Sequence, residues 1–213
     1  MEDHDIMKKK FDRPIIIGAI CEKESETSKS IARHLKKHPK KIAFLPFEIE
    51  SRYLKNTISC MKLMDVTGLS VCGDHKRKIS KHIPKSSKIS KLSKSIDTIV
   101  RKKNTFYGHD ALGESLYDFL SSLNVEKSKR VAAFFGKDLP LPSIKAALTA
   151  SGWKISGKRA ENISLIITGE LKSNELEKIR GYKKTNKQIT SMNVKKLTEL
   201  SSHTSTALLT NGL

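Results

Sequence analysis

Apolar and polar positions alternate along this chain in blocks that predict strands and helices in turn. "RPIIIGAI" (13–20) is a β-branched apolar run closed by charged and Ser-rich residues, which predicts a buried strand. "SKSIARHLKKH" (28–38) follows as a helix, with Thr27 or Ser28 as its N-cap. "KIAFLPFEIE" (41–50) predicts a second strand, and "RYLKNTISCMKLM" (52–64) sets Leu54, Ile58, Met61 and Met64 on one helical face. "GLSVCG" (68–73) reads as a third strand, so strands and helices alternate as in an α/β unit with parallel strands. Residues 75–95, "HKRKISKHIPKSSKISKLSKS", carry Lys and Ser and no acid, which fits a solvated helix and loop or a basic arm tracking phosphates. "DTIVRKK" (97–103) and "TFYGHD" (105–110) predict a β-hairpin around Lys103 and Asn104, leading into a helix over 113–123.

The polar stretch 124–129 reads as a linker. Beyond it, "RVAAFFG" (130–136) is a strand and "LPSIKAALTASGWKISG" (141–157) a helix closing near Gly152, then a short strand. A strand at 161–170, a helix at 174–184, a strand at 187–192 and a helix at 193–202 complete a second unit over 130–201. Residues 1–12 and the tail 202–213 lack periodicity and are expected to be flexible.

Charge adds one bias. The 213 residues carry 41 Lys+Arg against 22 Asp+Glu, a net charge of +19. Such a field favours nucleic acid, acidic partners or anionic metabolites and says nothing about fold. Cys21, Cys60 and Cys72 are widely spaced, with no metal-ligand pattern, so no metal is expected. No apolar run is long enough for a signal peptide or a membrane span, so a cytoplasmic chain with reduced thiols is expected.

The motifs of residues 13–123 resemble the N-terminal, substrate-binding domain of the shikimate dehydrogenases. That family has a strand, a Gly-containing turn and a Ser-x-Ser pair before a helix; here these are Gly18 and "SKSIARH". "LPFEIE" resembles its second strand, and "GLSVCGDHK" resembles Gly-Phe-Asn-Val-Thr-x-Pro-x-Lys. "SIDTIV" and "YGHDALGESL" are similar to Ala-Val-Asn-Thr-Val-Val and Gly-x-Asn-Thr-Asp-Gly-x-Gly-Phe. The resemblance covers about half the chain, in the family's order.

The resemblance implies a chemistry. In the family two Ser hydroxyls take the substrate carboxylate, Asn and Thr orient the ring hydroxyls, and a Lys–Asp pair handles the reacting hydroxyl. Carried over, Ser28, Ser30 and Lys76 are kept, Cys72 replaces the Thr, and Asp97 replaces the hairpin Asn. Leu112 stands where the catalytic acid belongs, and a two-residue slip would offer Asp110 as a substitute. Plainer readings stand beside these: Lys76 as one lysine of a basic surface, Ser28 and Ser30 as helix-capping residues, Cys72 as a small core residue.

Residues 129–201 do not offer the Gly-rich turn of a dinucleotide-binding unit, because "GKDLPLPS" follows their first strand. They resemble instead a BRCT domain like that of bacterial NAD-dependent DNA ligases, which implies a small four-stranded parallel sheet with helices. Its phosphate pocket is altered, with Phe135 for the usual hydroxyl residue and Glu175 for the helix Lys. Val194 stands for the usual large aromatic of the last helix. The resulting expectation is a non-catalytic shikimate-dehydrogenase-like domain joined to an interaction module, with no cofactor and a protein or DNA partner. The alternative is an NADP-dependent shikimate-pathway oxidoreductase, or a partner-dependent remnant of one, binding a shikimate-like small molecule.

Overall fold

The computed structural model describes residues 14–23, 25–156, 162–185 and 189–211; the expectations for 1–12 lie outside them. Strand β1 (Ile15–Cys21) is central because Ile17, Ala19, Ile20 and Cys21 are all buried. It pairs in parallel with β2 (Ile42–Glu48) and β3 (Gly68–Val71). Parallel pairing requires crossovers, supplied by α1 (Glu26–Leu35) and α2 (Leu54–Leu63). The α1 cap is Ser25, whose Oγ accepts from Ser28 N at 3.1 Å, so the helix begins earlier than its predicted caps at Thr27 or Ser28. In α2, Leu54, Ile58 and Met61 are buried as predicted, but the helix ends at Leu63 and Met64 is exposed.

The basic segment is folded. It forms α3 (His75–Ile79), a 3₁₀ turn at Ser80–His82, β4 (Lys85–Ser86) and α4 (Lys88–Ser93). Ile79, Ile83 and Ile89 are buried, while Lys81, Lys85, Lys88, Lys91 and Lys94 stay in solvent. The predicted hairpin is β5 (Thr98–Lys102) with β6 (Thr105–His109), and Lys103 takes a left-handed φ of 55° at its turn. The six strands run β2-β1-β3-β5-β6-β4, with β5 antiparallel to both neighbours, and α5 (Ala111–Ser122) leads out.

The second sheet has the order β10-β9-β7-β8, formed by β7 (Val131–Phe135), β8 (Lys154–Ile155), β9 (Leu165–Thr168) and β10 (Thr190–Asn193), all parallel. Helices α6 (Leu141–Ala150), α7 (Ser173–Thr185) and α8 (Val194–Asn211) complete it. The side chain of Val194 lies outside the described residues.

A separate BRCT-like domain is not evident, because the two halves share a core. Leu112, Leu116 and Leu120 of α5 lie in one apolar cluster with Ala132, Ile144, Leu165 and Leu197. Nor is 202–211 a loose tail. Helix α8 runs back onto the first sheet, where Leu209 packs with Ile17, Ile31 and Val100. A Cβ on Gly68 would stand 2.5 Å from Leu209 Cδ2, so a larger residue there would have to displace the Leu209 side chain of α8. Hydroxyls fix the same contact: Ser115 Oγ donates to Thr204 Oγ1 at 2.6 Å, and Thr98 and Ser205 share a 2.7 Å hydrogen bond.

Candidate active site

The carboxyl ends of β1 and β3 lie near the amino end of α5, close enough for the Asp97 charge to act on both Cys72 and Asp110. Cys21 ends β1, and Cys72 follows β3 one step beyond the Ile20–Val71 pairing. The Cys72 backbone N–H donates to Ile20 O at 2.9 Å, which sets both side chains on one face of the sheet. Ser25 Oγ donates to Cys72 Sγ at 3.0 Å. A hydrogen bond from Cys21, then Ser25 and the nearby Lys76 charge, bring the Cys72 thiol down to about 7 against the opposing effect of burial. Cys21 moves the other way, because its proton is held by Cys72 and its site is buried.

Lys76 is half-buried in the first turn of α3, close enough for its charge to act on Cys72. Among the described residues no carboxylate lies within ion-pair distance of it. A basic hollow of about 670 Å³ opens between α3 and α4, lined by Arg77, Lys78, Lys81, Lys91 and Lys94 with Asp74.

Ser28 and Ser30 line different hollows. Both fall inside α1, and positions two apart on a helix point to different faces. Ser28 is buried and lines a cavity of about 180 Å³ with Cys21, Pro46, Phe47 and Glu48. Ser30 lines a separate hollow with Arg33, His34 and Lys37.

The two candidate acids meet at the start of α5. Asp97 is buried and accepts from Ala111 N at 2.8 Å, Leu112 N at 3.3 Å and Thr98 Oγ1 at 3.0 Å. Asp110 is the α5 N-cap, accepting from Gly113 N at 3.0 Å through Oδ1. Its Oδ2 is buried without a partner of hydrogen-bonding geometry, although the Ser93 and Ser143 hydroxyls stand close. Burial first, and the Asp97 charge second, push the Asp110 carboxyl up to about 6. Asp110 is thus a buried acid poised near neutrality, and Leu112 beside it faces the apolar core.

The place for a dinucleotide in such a fold is the crevice at the carboxyl ends of the central strands β7 and β9. Here the chain closes that crevice on itself. Lys137 N donates to Glu170 O at 2.9 Å, Glu170 N to Lys137 O at 3.2 Å, and Gly169 N to Phe135 O at 2.9 Å. Glu175 accepts from Gly136 N at 3.3 Å and Lys172 N at 3.2 Å. Backbone packing there is tight: a Cβ on Gly169 would overlap Lys137 O at 1.8 Å, and Gly136 holds a φ of +89°. These amides are committed, and Pro140 and Pro142 have none to give, so the turn fits a pyrophosphate poorly.

The chain nonetheless has a shikimate dehydrogenase-like α/β fold. Shikimate 5-dehydrogenase from Listeria monocytogenes, solved with shikimate and NAD, superposes with a TM-score of 0.70 at 12% identity, covering 93% of this chain and 92% of that one. A shikimate dehydrogenase solved with NADP+ gives 0.67 at 15% identity, with 93% and 90% covered. In sequence, the shikimate dehydrogenase (NADP(+)) of Alkaliphilus oremlandii is 22% identical over 111 residues, which is 52% of this chain and 39% of that protein. The shikimate biosynthesis protein AroDE of Chlamydia muridarum is 28% identical over 145 residues, 64% of this chain and 30% of that one. The matches thus span well under two thirds of these relatives' lengths. No protein-family profile matches the chain.

Two expectations are corrected by these likenesses. The expectation of a BRCT module for protein or DNA binding is overturned, since the fold likeness to shikimate dehydrogenases extends over both halves, and these findings fit the oxidoreductase alternative better. The expectation of no cofactor is overturned as well, since neighbours were solved with NAD or NADP+ and relatives are named for NADP(+). Among the described residues no helix is long and apolar enough to cross a membrane, and no group of His, Cys, Asp and Glu has the arrangement of a metal site. Cys21, Ser25, Ser93 and Ser143 were not singled out from sequence. The one legible signal was that Cys21 directly follows, and Cys72 falls near the end of, strands expected to lie in the same parallel sheet.

Proposed function

We propose that this chain is an oxidoreductase of shikimate-pathway type, working on the 3-dehydroshikimate–shikimate pair with NADP. The observation that carries this is the return of α8 onto the first sheet, which joins both halves into the whole-chain likeness at a TM-score of 0.70. The basic hollow beside α3 supports it further, since Arg77, Lys78, Lys81, Lys91 and Lys94 attract an anionic substrate. In this reading Ser28 and Cys72 line the substrate side, and Lys76 donates to the oxygen on which charge develops. Asp110 serves as the group that exchanges a proton near neutral pH, its carboxyl being held at about 6. Asp97 holds α5 in place through the Ala111 and Leu112 amides. Because the β7–α6 turn fits a dinucleotide poorly, weak cofactor affinity is expected.

The test is twofold. NADPH oxidation with 3-dehydroshikimate is followed by absorbance, and shikimate binding by titration calorimetry on wild type and Lys76→Ala. Saturable heat that disappears in Lys76→Ala, with measurable turnover in wild type, is the expected result. Absence of both heat and turnover in folded protein overturns the proposal.

A further inference from the structure

We propose that Cys21 and Cys72 form a vicinal dithiol that a peroxide closes to a disulfide, making this strand-end pair a covalent modification site. The chemistry needs only these two sulfurs and their neighbours, so it does not rest on the reductase proposal. Geometry carries it. The two residues stand side by side on adjacent parallel strands, on the same face, and the Ser25 hydroxyl bridges them, 4.0 Å from Cys21 Sγ and donating to Cys72 Sγ at 3.0 Å. Neighbouring strands lie about 4.8 Å apart, within the Cα separation of about 4.4–6.8 Å that a disulfide spans.

The pair is also electronically unequal. Cys72 is the sulfur that accepts from Ser25 Oγ at 3.0 Å, and the Cys21 thiol and the Lys76 charge favour its ionised form. Cys21 keeps its proton. The charged groups facing the pair are Lys76 of α3, which favours the Cys72 thiolate, Asp97 ahead of β5, which opposes it, and Glu48 of β2, which acts against ionisation of Cys21. Access is for small molecules only: both cysteines are buried, and Cys21 opens onto the cavity of about 180 Å³ lined by Ser28 and Phe47. Hydrogen peroxide meets that restriction, whereas a bulky disulfide does not.

The reaction balances as two displacements. The Cys72 thiolate attacks one peroxide oxygen, the O–O bond breaks, and the chain holds a Cys72 sulfenic acid while hydroxide leaves. Cys21 sulfur then attacks Cys72 sulfur, the S–O bond breaks, and the Cys21 proton leaves with the oxygen as water. Overall two thiols are oxidised by two electrons, and one peroxide becomes two waters. The product staples β1 to β3 at their carboxyl ends.

The experiment treats the intact, folded chain with less than one equivalent of hydrogen peroxide, then unfolds and alkylates it and maps the peptides by mass spectrometry. The third cysteine, Cys60, is exposed and serves as the internal comparison. The expected result is a Cys21–Cys72 linked peptide two mass units light as the main oxidised product, with its yield falling as pH drops below about 7. Cys21→Ser should leave a Cys72 sulfenic acid that dimedone traps. Oxidation confined to Cys60, or full alkylation of Cys21 and Cys72 after treatment, overturns the proposal on wild-type protein alone, whatever the variant's folding.

Discussion

Asp110→Asn is the substitution whose outcome the structure specifies most fully. The folded chain holds the Asp110 carboxyl at about 6 against a value of 3.8 in the open chain, through burial and the adjacent Asp97. The folded state therefore binds this proton more tightly than the unfolded one. The associated stability is complete below about 3.8 and is lost as pH rises through 6. A difference of about two units, at about 1.36 kcal/mol each, means that ionised Asp110 costs about 3 kcal/mol by pH 7.5. Asn cannot ionise, yet it caps a helix as well as Asp does, so the Gly113 amide keeps its acceptor. The variant should be about 3 kcal/mol more stable at pH 7.5, and for a chain of this size about 2–4 °C of Tm follows each kcal/mol. By pH 4.5 the gain should shrink to about 1 kcal/mol, because the folded carboxyl is then protonated and what remains is the small cost of holding that proton just above the unfolded value of 3.8. Urea and thermal unfolding followed by circular dichroism at the two pH values measure this. Equal or lower stability of Asp110→Asn at pH 7.5, or the same gap at both pH values, refutes the reasoning. Loss of turnover in the stabilised variant would connect the strained carboxyl to chemistry.

Three further outcomes follow from particular contacts. Leu209→Ala should cost about 2–5 kcal/mol, because Leu209 is buried against Ile17, Ile31 and Val100; a change under 0.5 kcal/mol in urea unfolding would mean that α8 does not seat on the first sheet. Gly68→Val should destabilise for the same reason, since a Cβ there meets Leu209 Cδ2 at 2.5 Å, and combining it with Leu209→Ala should recover part of the loss. Glu175→Ala frees the Gly136 amide and removes a carboxylate from the dinucleotide crevice, so NADPH should bind severalfold more tightly by fluorescence titration; unchanged or weaker binding counts against the crevice as the cofactor's place.

Much of this molecule is legible in the chain itself because local periodicity reports local structure. The β-branched run at 15–20, the hairpin about Lys103 and the Leu54–Ile58–Met61 stripe each bury what their spacing says they should. Lys76, Ser28, Cys72, Asp97 and Asp110 were likewise named from order and residue type. Geometry between distant segments was not legible. Starting α1 at Glu26 turns Ser30 away from Ser28, a matter of helix phase that motif spacing does not report. The Ser- and Thr-rich end of α8 hid its helix from periodicity, yet Ser202, Thr206 and Thr210 turn their hydroxyls onto carbonyls one turn back, which lets a polar segment pack. That Asp97 and Asp110 share one helix end, and that Cys21 touches Cys72, depends on strand pairing over tens of residues. Sequence supplied the reactive groups; only tertiary structure, by fixing distance and excluding water, decided which of them feel each other's charge.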